Sequence, residues 1–308
     1  MYWILLFSIL AATEPRPMAE VVVLGVVQDA GLPQLGCENS CCLEEDGDPR
    51  PRQSTSSIAV VLTATGQSFL FDATPDIREQ LALLRRHESY RKPGARRPVD
   101  GVFLTHAHMG HYTGLMHFGF ESMSTDAVPV HCTERFAKYL ETSGPWSQLV
   151  TKKNIVIRPF EVGTAIEPAP GLKVTAFLVP HRDEYSDTVG YRIEAGDDSL
   201  VFLPDIDHWT EDVDIRELVR SNAHVLIDAT FYSGDELPGR DLSQIPHPRI
   251  VDTMKLLEDR PEEERARVRF IHLNHTNPAL RPGSAARRAI EDAGFRVASI
   301  GEVIPLGE

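Results

Sequence analysis

The sequence predicts an α+β fold built on a mixed β-sheet in each half of the chain, and three observations point there. Apolar, β-branched runs recur along its whole length, beginning with Val21-Val22-Val23-Leu24-Gly25. Helix-like stretches around Ile215, Val251 and Ala286 interrupt those runs, which argues against an all-β sandwich. At 308 residues with 42% hydrophobic content, the chain can bury a large core without a second domain.

Each element follows from its local pattern. Ser57 to Leu62 and Ser68 to Phe71 read as a hairpin around Gly66. Asp76 to His87 reads as an amphipathic helix with Asp76 near its start. Val99 to Leu104 is a short buried strand, and Lys173 to Val179, Thr188 to Ile193, Leu200 to Leu203, Ala223 to Ile227 and Val268 to Leu273 are further strands. Pro and Gly clusters near 93, 144, 168 and 237 read as turns, and Ser54 to Ser57 as the start of a strand with exposed hydroxyls.

The N-terminal segment 1–17 is expected to be a leader, with 18–308 forming one domain. Trp3 to Ala12 is apolar, too short to span a bilayer and of the length of a signal-peptide core, although no Lys or Arg precedes it. The expectation is export, with a short anchor or a true start at Met18 as the alternatives; no stable membrane span should remain once the leader is removed. A net charge of -14 argues against an extended nucleic-acid surface. The basic stretch from Arg85-Arg86 to Arg96-Arg97 reads as a solvated loop, so the expected partner is a small-molecule substrate.

The chemistry concentrates in Thr105-His106-Ala107-His108-Met109-Gly110-His111, with His117 shortly after. His106 and His108, two residues apart where a strand ends, can converge on one cation, while His111 at the start of the next helix points elsewhere. Neutral imidazole suits Zn, Fe, Cu or Ni.

This run resembles the H-x-H-x-D-H signature of the metallo-β-lactamase superfamily, with Gly110 where that signature has Asp. The resemblance implies an αββα four-layer sandwich of two mixed sheets flanked by helices, holding one or two metals at its edge. Phe71-Asp72-Ala73-Thr74-Pro75-Asp76-Ile77-Arg78-Glu79-Gln80, Asp228-Ala229-Thr230-Phe231 and His272-Leu273-Asn274-His275-Thr276-Asn277-Pro278 are similar to the coenzyme PQQ synthesis protein B group. Asp228-Ala229-Thr230-Phe231 is also similar to the Glu-Ala-Thr-Phe phrase of tRNase Z, whose acidic residue pairs with a downstream histidine; here that histidine would be His247.

Other ligands are expected at strand ends. His181, in Pro180-His181-Arg182-Asp183, is the third ligand beside His106 and His108, and Asp205 corresponds by order to the family's bridging aspartate, with Asp207 the weaker candidate. Of His272 and His275, the phosphodiesterase relatives favour His275, which with His111 and Asp205 would hold a second ion. Without a carboxylate at position 110, that ion should bind weakly or not at all. Zn²⁺ is the expected metal, with Fe²⁺ or Mn²⁺ open. Asp72, at a strand end, could support a ligand histidine.

Cys37, Cys41 and Cys42 resemble the family's C-x-C-x-x-C structural zinc cluster, with Asn39 at the middle position and Cys41 added. They could close a metal site with His272, or two of them could form a disulfide. Cys132 reads as a buried apolar residue. Gly25 and Gly31-Leu32-Pro33 form a turn beside the metal site, since no G-x-G-x-x-G pattern is present.

The implied function is a metal-dependent hydrolase of a phosphodiester or other small ester-like bond, with Asp205 orienting water and Asp228 and His247 protonating the leaving group. The alternatives are an iron-dependent oxygenase of the PQQ synthesis type and a non-catalytic metal-binding relative.

Overall fold

The computed structural model describes residues 16–44, 47, 50–237, 239 and 244–307. Most of the expected leader therefore lies outside the described residues. Among those residues, no helix is long and apolar enough to cross a membrane.

The first sheet begins with β1 (Ala19–Gly25), β2 (Ser57–Leu62), β3 (Ser68–Phe71), β4 (Gly101–Phe103), β5 (Val128–Thr133) and β6 (Ile155–Phe160). The second contains β7 (Ala165–Ala169), β8 (Leu172–Leu178), β9 (Val189–Ala195), β10 (Asp198–Leu203), β11 (His224–Asp228), β12 (Val268–Ile271) and β13 (Arg296–Val297). The chain then returns as β14 (Val303–Leu306), which pairs with the outer side of β1. The orders are β14-β1-β2-β3-β4-β5-β6 and β13-β12-β11-β10-β9-β8-β7, seven strands each. Both sheets are mixed: β1 to β3 run antiparallel and β3 to β6 parallel, while β7 to β10 run antiparallel and β10 to β13 parallel.

Helices α1 (Ile77–Leu84), α2 (Met109–Tyr112), α3 (Glu134–Thr142) and α4 (Trp146–Thr151) follow strands of the first sheet. Helices α5 (Ile215–Ser221), α6 (Ile250–Leu256), α7 (Glu262–Arg265) and α8 (Ala285–Asp292) follow strands of the second. This is the four-layer arrangement expected of the metallo-β-lactamase sandwich.

The apolar runs are continuous because the strands are covered on both faces. In β1, Ala19, Val21 and Val23 join the core shared with the second sheet, whereas Val22 and Leu24 join a second core beneath α1 and α3. The same division holds for Phe69 and Phe71 against Leu70 in β3. Phe71 and Phe103 of the first sheet meet Tyr191 of the second edge-on, with centroids 5.4 and 5.7 Å apart. The Tyr191 hydroxyl donates to the carbonyl of Leu104, so the inter-sheet core also anchors the backbone just before His106.

Several sequence expectations change. The hydroxyls of Ser54 to Ser57 are not on an exposed strand surface: Thr55, Ser56 and Ser57 are almost fully buried. Thr55 is held there by Asp76, which accepts from its amide and hydroxyl at 2.9 and 3.0 Å; Asp76 is thus engaged across the chain and makes no side-chain cap to α1. Position 168 is not a turn but lies within β7, the last strand of its sheet, where the register shifts between Ile166 and Ala169. A proline is tolerated there because an edge strand has a side without ladder bonds.

In β5, His131 stacks on Phe103 with centroids 4.4 Å apart and planes 10° from parallel. Burial, followed by the charge of Arg158, its neighbour across β6, depresses its pKa from 6.5 to about 4. Above 6.5 the ring is neutral whether the chain is folded or not. Between 6.5 and about 4 the unfolded chain takes up a proton that the folded chain refuses, so stability falls as pH falls through that window. Denaturant unfolding of metal-free protein across this window should show a shallower pH slope for His131→Phe than for the unsubstituted chain.

Candidate metal centre

The parallel strands of both sheets end at one edge, and the loops that leave those ends carry the polar groups. After β4, Thr105 begins the turn into α2 that presents His106, His108 and His111. From the second sheet, the loops after β8, β10 and β12 bring His181, Asp205 and His272, and the last residue of β11 is Asp228.

Four residues, His106, His108, His181 and Asp205, each aim one ligand atom at a common point, with those atoms within 4.8 Å of one another. His181 Nε2 lies 3.1 Å from His108 Nδ1 and 3.2 Å from Asp205 Oδ2, and His106 Nε2 lies 3.4 Å from the same oxygen. A second group, Asp29, His111, Asp205 and His272, adjoins it through the shared Asp205. The nitrogens of His111 and His272 stand 3.7 and 3.9 Å from Asp205 Oδ2, which therefore lies between the two groups. His111 belongs to this second group and not to the cation site of His106 and His108, as its spacing suggested, although its ring packs beside His106 with centroids 4.2 Å apart.

Each imidazole is aimed by a partner on its other nitrogen. Asp207 accepts from His181 Nδ1 at 2.7 Å, Asp72 from His111 Nδ1 at 2.7 Å, and Glu184 from His108 Nε2 at 2.9 Å. Asp72 also accepts from the hydroxyl and amide of Thr105, whose hydroxyl lies 3.0 Å from His106 Nδ1. Such partners fix both ring orientation and tautomer. Asp207, the weaker candidate for the shared position, thus orients His181, and Asp205 occupies the centre.

The donor atoms fit a cation. Among the described residues, His106 Nε2 and Asp205 Oδ1 are buried without a hydrogen-bond partner, a costly condition for polar atoms unless something else satisfies them. Burial, then the charge of His111, drives His106 well below the usual imidazole range, so its inward nitrogen is a free lone pair. Burial opposes a charge on His111 as well, but Asp72 and Asp29 outweigh it and raise its pKa well above the ordinary value. The carboxylates here call for positive charge, which a divalent cation supplies in place of protons.

Asp228 and His247 come together as well. His247 Nδ1 lies 2.7 Å from Asp228 Oδ2 and 3.5 Å from Asp205 Oδ1. His247 is not a surface histidine, its side chain being 5% exposed. Burial works against its charge, yet the Asp228 carboxylate raises its pKa to about 9. His247 lines a cavity of about 180 Å³ together with His108, His181, Asp205, Arg182 and Asp29, and Asp228 is fully buried behind it.

The two histidines after β12 exchange the places expected of them. His275 does not stand with His111 and Asp205; His272 does. His272 directly follows β12 with a left-handed φ of 64°, which turns its ring back to the centre, where Nδ1 meets the Thr230 hydroxyl at 3.2 Å. His275, farther along the loop, reaches the cysteines instead. Cys37, Cys41, Cys42 and His275 form a separate group of converging donors, and His275 Nδ1 is buried with no partner among the described residues. Cys37 Sγ and Cys41 Sγ are 3.4 Å apart and all four cysteines are free, so the disulfide alternative does not hold here. Three sulfurs and one imidazole match a closed tetrahedral zinc site. Cys132 is buried in the core under β5, as expected of an apolar residue.

Asp29 went unnoticed in the sequence because it belongs to no histidine motif. Its only signal was the glycine-bearing turn around it. Glu184 gave no signal at all, since it reaches His108 across a loop.

Residues 67–299 match the family described as Beta-lactamase superfamily domain. A coenzyme PQQ synthesis protein B from Rhodopseudomonas palustris (strain BisB5) is 30% identical over 94% of this chain and 100% of its own length. Among solved structures, Zn(2+)-bound PqqB from Methylobacterium extorquens aligns with a TM-score of 0.75 and 26% identity, covering 93% of this chain and all of that one. A diphosphatase from the PhnP family shares the fold at a TM-score of 0.62 and 21% identity, over 93% of this chain and 96% of its own.

Because the cysteine group is separate from the histidine centre, Cys42→Ser should release one equivalent of bound metal and lower the melting temperature, while the metal held by the histidines stays. Elemental analysis alongside thermal unfolding measures both. From the two mixed sheets, the donors gathered at their common edge and the match over most of its length, the chain belongs to the β-lactamase superfamily, in its metallo-β-lactamase fold, close to the coenzyme PQQ synthesis protein B proteins.

Proposed function

We propose that this protein is a metal-dependent hydrolase of a phosphodiester or another small ester-like bond. The observation that carries the reading is the Asp228–His247 pair set against Asp205 at the wall of the cavity. His106, His108, His181 and Asp205 would hold the cation. When bound, a divalent cation supplies Lewis acidity and makes water a nucleophile near neutral pH.

The chain's own groups do the rest. Asp205 Oδ1, turned towards His247 and otherwise unpartnered, can accept a hydrogen bond from the attacking water and so orient it. Asp228 keeps the Nδ1 proton of His247, and its carboxylate, 2.7 Å away, favours the imidazolium form of the ring. The ring can therefore deliver a proton to a leaving oxygen, the role of a general acid. Arg182, also lining the cavity, offers a positive charge to an anionic substrate. A space of about 180 Å³ suits a small ester group and its water rather than a folded macromolecule.

A second reading has its own support. The similarity to coenzyme PQQ synthesis protein B runs over more than nine-tenths of both chains, which favours a step in the synthesis of a cofactor; an iron-dependent oxidation is the form of that step set here against hydrolysis. The two differ in what they consume.

His247→Asn should retain its metal but lose about 10²-fold or more in kcat on an activated phosphodiester such as bis(p-nitrophenyl) phosphate. A lactone, whose leaving group needs less protonation, should suffer less. His106→Ala should lose both metal and activity. Dioxygen uptake by the Fe(II)-loaded protein, with no ester turnover under any metal, would replace hydrolysis by the oxidative reading.

A further inference from the structure

Gly110 removes the carboxylate that the H-x-H-x-D-H signature places there, yet the structure shows that position already filled. A Cβ built on Gly110 would lie 2.4 Å from Asp29 Cγ and 2.5 Å from both Asp29 Cα and Cβ. Contacts this short do not occur, so a side chain at 110 and the present path of the loop around Asp29 exclude each other.

Asp29 does more than occupy the space. Its Oδ1 lies 3.1 Å from His111 Nε2 and 3.3 Å from His272 Nε2. Those nitrogens are the ones that face Asp205, and all four residues present donors within 4.8 Å of one another. His111 and His272 thus approach a carboxylate from the first loop on one side and the shared carboxylate on the other.

The loop is held tightly enough to keep Asp29 there. Gln28 N donates to Leu273 O and Leu273 N to Val26 O, both at 2.9 Å, tying the loop after β1 to the segment that carries His272. Asn274 donates to the Gln28 side chain at 2.6 Å. On its other side the chain leaves β1 pressed against Thr55, which only a glycine at position 25 allows, since a Cβ there would fall 1.9 Å from the Thr55 carbonyl oxygen.

We propose that Asp29 replaces the carboxylate missing at position 110, so that Asp29, His111, Asp205 and His272 form a complete second cation site and the centre takes two ions. This rests on the metal-centre reading above and departs from the expectation that the second ion binds weakly or not at all. The exchange moves the ligand from the histidine-bearing turn to the loop after β1. It also makes second-site affinity depend on the docking of the first loop against the segment after β12.

The experiment is metal counting on the folded full chain. Wild type, Asp29→Asn, Asp29→Ala and His106→Ala are equilibrated with Zn²⁺ at a buffered free concentration, then analysed for bound metal and by calorimetric titration. Asp29→Asn, which preserves shape, should lose one equivalent or bind its last ion at least about tenfold more weakly. The equivalent held by the cysteines remains as an internal sign of correct folding. If Asp29 serves only as counter-charge to protonated histidines, Asp29→Asn keeps the wild-type count and affinity, and the proposal is overturned. Equal metal in wild type and His106→Ala would overturn the metal centre itself along with it, whereas loss in His106→Ala without loss in Asp29→Asn overturns the Asp29 assignment alone.

Discussion

A single carboxylate, that of Asp205, sits 4% exposed at the joint of the two sheets, and the arrangement of the centre depends on compensating it. Leaving such a charge unpaired in the interior costs several kcal/mol, about the whole stability margin of many domains. Its compensation comes from rings carried by both halves of the chain: His106 and His111 from the first sheet, His181 and His272 from the second, all within 3.9 Å of Oδ2. Closing the sandwich and assembling the site are consequently the same event. The bond from Tyr191 to Leu104, one residue before Thr105, ties the two together mechanically.

The surrounding groups turn this cluster from a collection of imidazoles into a directed donor set. Asp72, Asp207 and Glu184 each hold one ring nitrogen, leaving the other to face inward. Asp72 is itself in a left-handed conformation, φ 65°, a cost on the order of 1–3 kcal/mol for a residue other than glycine. The bonds it accepts from the amide and the hydroxyl of Thr105 and from His111 offset that strain and explain why it persists at this place. His272 carries the same kind of backbone strain and uses it to turn its ring to the centre.

Two sites divide the metal-binding capacity of the chain. The cysteine group with His275 brings together three sulfurs and one imidazole, the full donor set of a closed tetrahedral site, which suits a structural role. The histidine centre has the Asp228–His247 pair at its edge and opens on a cavity, which suits chemistry. Loops after β12 feed both, His272 to one and His275 to the other, so the two sites are mechanically adjacent although chemically distinct.

Much of this was legible in the sequence. Strands buried on both faces appear as nearly unbroken apolar runs, so β1 to β3 and β10 to β12 stood out, β8 and β9 showed as apolar stretches broken by Lys173 and Arg192, and the mixed sheets followed from the helices between them. β5 to β7 did not stand out, because Pro129, Pro159 and Pro168 interrupt them and their exposed positions break the apolar run. His106, His108, His181, Asp205 and the Asp228–His247 pair were visible because each lies directly after an apolar strand or in a recognisable phrase. The sequence alone determined which residue types stand at the strand ends. Only the tertiary structure decided which of them meet: that His272 and not His275 turns inward depends on a backbone dihedral, and that Asp29 stands in the space beside Gly110 depends on the path of the loop after β1. A linear pattern carries spacing along the backbone, whereas ligation requires convergence in space, and that is set by how the two sheets pack.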